Sequence, residues 1–133
     1  MMTAPALELQ LLAAAVVVGL VQFLWATVAA RGQQGLTYGR GPRDQPITLT
    51  GAAGRLERSY ANFLETFPLH AAAVIMAYLA AKLGDLTLWG SVAYVAARAL
   101  HPILYLIAIP FLRSLVWMIG FCGTLAVVAA IFL

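Results

Sequence analysis

The stretch RLERSYANFLETFPLHAAAVIMAYLAA, Arg55 to Ala81, sets Arg58, Asn62 and Glu65 at the mouth of a long apolar run that then carries no charged residue. Steps of four and three along a helix of about 3.6 residues per turn put those three side chains on one face. The rest of the run is rich in Ala and Leu and, counted from about residue 60 to 81, is close to the ~20 residues that span a bilayer. A membrane helix with a polar stripe at one end is the reading from which the remainder of the chain is worked out.

Composition supports it: 63% of the residues are hydrophobic and 10% charged, more apolar surface than a soluble core of 133 residues absorbs. Three further runs of spanning length lie at about 7–30, 86–109 and 112–133. Glu8 and the absence of Lys or Arg at the leading end of the first run argue for a retained span over a cleaved signal peptide. Continuous runs far longer than a barrel strand, each needing its backbone donors paired within its own segment, give an all-α bundle of four transmembrane helices. The connector from about 31 to 57, rich in Gly, Pro and Arg, is the one substantial polar loop expected.

Arg31, Arg40, Arg43 and Arg55 fall in that loop, with Arg58 at its edge, against Asp44 and Glu57. The excess of arginine makes the loop cytoplasmic and puts both termini on the opposite side. The same asymmetry accounts for the net charge of +3, so no nucleic-acid partner is read into it. The absence of a targeting signal and the Ala-rich spans point to a bacterial inner membrane. The single cysteine, Cys122, lies inside the fourth run and reads as packing or lipid-facing, and no metal or nucleotide motif is present.

Ionisable groups at membrane depth are costly and mark a bundle interior or a water-filled site. A second stripe, Tyr94, Arg98, His101 and Tyr105, spaced by four, three and four, lies on the third run. Running antiparallel to the second span, it brings His101 and Tyr105 to the level of Arg58 and Glu65, and Arg113 opens the fourth span there too. Arginines, an amide, a carboxylate, a phenol and an imidazole at one level suit a small, multiply charged polar ligand. Position by position there are plainer readings: Arg58 as a membrane anchor, Glu65 with Arg98 as a buried ion pair, Asn62 as interhelical glue, and Tyr94 and Tyr105 as interfacial aromatics. His70, off the stripe, reads as packing.

The run Arg58-x-x-x-Asn62-x-x-Glu65-x-x-Pro68 resembles the second-helix signature of the MAPEG family, membrane-associated proteins in eicosanoid and glutathione metabolism. Arg98-x-x-His101-x-x-x-Tyr105 followed by Arg113-Ser114 resembles the prostaglandin E synthase branch of that family. Ala61 departs from it, standing where that branch has a further arginine, and the basic end of the first span is reduced to Arg31 before Gly32, Gln33 and Gln34.

The resemblance implies a homotrimer of four-helix protomers with glutathione as cosubstrate, bound between neighbouring copies near the cytoplasmic face. Arg58, Asn62, Glu65, Arg98, His101 and Tyr105 would be its contacts. Arg113, with Ser114 as an additional donor, would stabilise the thiolate, and a lipophilic second substrate would arrive from the membrane lipid. The implied activity is a glutathione-dependent transferase or peroxidase. The alternative is a non-catalytic lipid-binding or scaffold protein of the same fold, with the polar groups as structural pairs. A transporter ranks third.

Overall fold

The computed structural model describes residues 5–133, and these form four α-helices: α1 (Leu7–Arg40), α2 (Gly51–Leu79), α3 (Asp85–Leu106) and α4 (Pro110–Phe132). Their order and number are those expected from the four apolar runs. α1 packs on α2 and α3, α4 packs on α3 and α2, and α1 and α4 do not meet among the described residues.

The polar connector is shorter than expected, because helix outlasts hydropathy at both of its ends. α1 continues ten residues beyond Ala30 to Arg40, bending where Gly35 takes a left-handed φ of 79° that glycine adopts without a Cβ penalty. α2 begins at Gly51, well before the apolar run, which leaves 41–50 as the non-helical segment. That segment is clasped to α1 by Gln33, whose Nε2 donates to the Thr50 carbonyl at 2.8 Å and whose Oε1 accepts from the Thr50 amide at 3.0 Å. The remaining turns are tight. α3 stops at Leu106, three residues short of the apolar run's end, and Pro110 opens α4, where its missing N–H costs nothing.

The interior is small and polar, and the outside is apolar. Ala73, Val74, Ala77 and Val127 form one buried cluster. Leu20, Val28, Leu69, Trp89, Phe111 and many other large apolar side chains are exposed. α1 and α4 are each long and apolar enough to cross a membrane. α2 and α3 face each other through a polar ladder instead, Ser59 to His101, Asn62 to Arg98, and Thr66 to Tyr94, while Arg58 and Glu65 of the α2 stripe stay exposed. Each rung moves about one turn up α2 and one turn down α3, the register of an antiparallel pair. α3 and α4 come close together at Gly90 and Gly123, where a Cβ on Gly90 would lie 2.6 Å from the Gly123 carbonyl oxygen.

Candidate functional site

A cleft of about 270 Å³ opens where α2, α3 and α4 come together at the end of the bundle that carries the arginines. It is lined by Arg55, Arg58, Tyr105, Ala108, Pro110 and Arg113. The turn from α3 to α4, tightened by Ala108 at φ 55°, brings the first turn of α4 back over Tyr105. The Arg113 guanidinium then sits 4.6 Å from the centre of the Tyr105 ring, with that of Arg58 at 5.9 Å. Both lie within reach of the ring's negative face. Arg55 reaches from α2 to the end of α3, its Nη1 donating to the Leu106 carbonyl at 3.0 Å. No carboxylate lines the cleft, and the N-terminal end of the α4 dipole adds to its positive potential. Such a place suits an anion or a negative charge that develops during a reaction.

The residues singled out in the sequence fall into three groups. Arg58, Tyr105 and Arg113 meet in the cleft. Asn62, Arg98 and His101 form the ladder behind it. Arg98 is 1% exposed; its Nη1 donates to Asn62 Oδ1 at 2.7 Å, while Nε and Nη2 have no partner among the described residues. The ion pair of Arg98 with Glu65, one of the plainer readings above, is therefore replaced by a bond to an amide. Glu65 and Ser114 are exposed and do not line the cleft; Glu65 lies two turns along α2 from Arg58. His70 stacks on Tyr94 with ring centres 3.8 Å apart and pairs Nδ1 with Thr124 Oγ1 at 3.0 Å, in keeping with packing.

His101, 4% exposed, stands edge-on to Tyr105 with ring centres 5.5 Å apart, and its Nδ1 lies 3.1 Å from Ser59 Oγ. Ser59 Oγ in turn donates to Gln22 Oε1 at 3.4 Å, and Gln22 Nε2 donates to the Arg98 carbonyl at 3.2 Å. Sequence reasoning missed Arg55, Ser59 and Gln22. Arg55 carried a signal: it lies three residues before Arg58, so both share a helix face. Gln22 and Ser59 carried none by spacing, since they belong to different helices.

The Asn62–Arg98 rung yields a direct expectation. Asn62→Ala removes the acceptor from a buried guanidinium and should lower stability by about 2 kcal/mol, the range for a hydrogen bond to a charged group. Asn62→Asp, which keeps an acceptor there, should recover most of that in a thermal melt of the detergent-solubilised protein.

The chain matches the family model described as MAPEG family over residues 9–133. No curated protein and no solved structure matches it.

Proposed function

The chain belongs to the MAPEG family, and from that premise we propose that it is a membrane enzyme using glutathione to conjugate lipophilic electrophiles or to reduce lipophilic hydroperoxides. The observation that carries this reading is the cleft in which Arg113 and Arg58 flank Tyr105 with Arg55 beside them and no carboxylate on the walls. A thiol becomes a competent nucleophile when it ionises, and adjacent guanidiniums favour the anion.

The thiol gives its proton to solvent, and Arg113 holds the thiolate. In conjugation the thiolate attacks carbon, a carbon–sulfur bond forms, and the leaving group departs with the bonding pair. In peroxide reduction the thiolate attacks oxygen and the O–O bond breaks to give an alcohol and a sulfenic acid. A second glutathione converts the sulfenic acid to the disulfide and water.

The four helices each cross the membrane in this reading, with the arginine-bearing end cytoplasmic as the charge asymmetry favours; a bacterial inner membrane suits the same reading. Arg58, Asn62, His101 and Tyr105 contact glutathione, and Arg98 serves the site through Asn62. Glu65 and Ser114 enter it from the protomer surface, Glu65 meeting the ligand's ammonium. Their exposure outside the cleft supports a homotrimer with glutathione lying between neighbouring copies.

Ultraviolet titration of the purified protein with glutathione at neutral pH tests the proposal. Thiolate absorbance that saturates with glutathione, accompanied by a rise in melting temperature, is the expected result. Neither signal would turn the assignment to the non-catalytic lipid-binding alternative.

A further inference from the structure

Pro102 leaves a mark four residues upstream. Within α3 the carbonyl of Arg98 would accept from the amide at position 102, and proline has no hydrogen to give. The orphaned carbonyl is instead met from α1 by Gln22 Nε2 at 3.2 Å. Gln22 is 3% exposed, so its amide cannot turn to water for a substitute partner. A carbonyl only accepts, which fixes the Gln22 amide with its nitrogen on Arg98 and its oxygen toward Ser59.

From there the directions follow from donor and acceptor chemistry. Gln22 Oε1 only accepts, so the single hydroxyl proton of fully buried Ser59 goes to it at 3.4 Å. Ser59 Oγ is then an acceptor toward His101 Nδ1, 3.1 Å away, and the imidazole proton sits on Nδ1. The reverse arrangement sets a lone pair of Ser59 against one of Gln22 in the buried interior, leaving an unsatisfied acceptor at a cost of about 1–3 kcal/mol. The tautomer with hydrogen on Nδ1 carries a lone pair on Nε2.

We propose that Gln22 and Ser59 are positioning residues that, through the carbonyl freed by Pro102, hold His101 as its Nδ1–H tautomer, so that Nε2 accepts an N–H of glutathione reaching past Tyr105. The cleft itself presents guanidinium donors, which recognise carboxylates and the thiolate equally. A fixed lone pair behind Tyr105 adds what they lack, a requirement that the anion also bring an amide or ammonium hydrogen. It thereby selects a peptide thiol over a simple mercaptocarboxylate. The ligand part of this inference rests on the function proposed above; the tautomer does not.

The chain has two histidines, so nitrogen NMR of the solubilised protein labelled at histidine resolves both rings, and His101→Gln assigns them. The wild type is expected to show His101 with a protonated Nδ1 and a bare Nε2, whose signal moves on adding glutathione and stays put with mercaptoacetate. Ser59→Ala should give a mixture of tautomers and weaken glutathione about fivefold, the worth of one hydrogen bond. Ser59→Thr should restore both.

A His101 protonated on Nε2 in the wild type, or a tautomer unmoved in folded Ser59→Ala and Gln22→Leu, would overturn the relay. If the wild type binds no glutathione while His101 holds its proton on Nδ1, the proposed function fails and the ligand assignment with it, and the relay stands.

Discussion

On the proposed function, Arg113→Ala should leave a folded protein that no longer ionises glutathione at neutral pH, with turnover on any electrophile down by a factor of about 10² or more, the scale on which removing one preorganised charge-stabilising donor is felt. The fold survives because Arg113 is only half-buried, on the first turn of α4, and its contact with the protein is with the Tyr105 ring at 4.6 Å. Losing a partly exposed cation–π contact costs about 0.5–1 kcal/mol. Activity and stability should therefore separate.

Arg113→Lys sharpens the prediction. A lysine restores the charge without the planar fork that lies over the ring while donating to a ligand. A partial return of thiolate absorbance, with turnover still well below wild type, is the expected outcome. Stopped-flow absorbance and melting curves on the same three preparations decide it. A variant that loses stability and keeps its thiolate would assign Arg113 a structural role.

The second large effect is on the fold. Gly90 and Gly123 stand face to face between α3 and α4: a Cβ on Gly90 would lie 2.6 Å from the Gly123 oxygen, and a Cβ on Gly123 would lie 2.5 Å from the Gly90 oxygen. The obstructing atoms are backbone on both sides, so no rotamer change relieves the clash and the helices themselves must separate. Small residues that let backbones approach are a principal source of helix association in lipid, where apolar side chains gain little by leaving the tails.

Gly90→Val should therefore cost about 3 kcal/mol or more, at the upper end for overpacking. The expected reading is a collapse of the melting transition and aggregation on size-exclusion chromatography. Gly32→Ala, with nothing within 4 Å of the new Cβ, supplies the control and should be neutral or slightly stabilising. A Gly90→Val protein that melts like wild type would show that the two helices are not held at this contact.

The four helices were legible because each is built around a run whose hydropathy and length say the same thing. Their ends were less so: the last ten residues of α1 are polar and Gly-rich, and they extend the helix across the bend at Gly35 as far as Arg40, which hydropathy does not register. The stripe on α3 gave its ladder face, whereas of the α2 stripe only Asn62 turns inward, beside Ser59 and Thr66; Arg58, Tyr105 and Arg113 do meet. Which polar group pairs with which was not legible. Charge favours Glu65 for Arg98, but the antiparallel register places Asn62 opposite it and carries Glu65 outward. Gln22 stayed hidden for a different reason: its partner is a main-chain carbonyl released by Pro102, and an acceptor of that kind has no residue type to betray it.

The ladder between α2 and α3 also bears on how the protein enters its membrane. α2 turns Ser59, Asn62 and Thr66 inward, and their ladder partners, His101, Arg98 and Tyr94, lie on α3. Emerging alone from the insertion machinery, α2 is a poor passenger for lipid, and its polar side chains favour waiting in the aqueous channel. With only a short turn between Leu79 and Asp85, α3 arrives almost at once and antiparallel. On the proposed topology of four crossing helices, the two should therefore pass into the bilayer together as one hairpin.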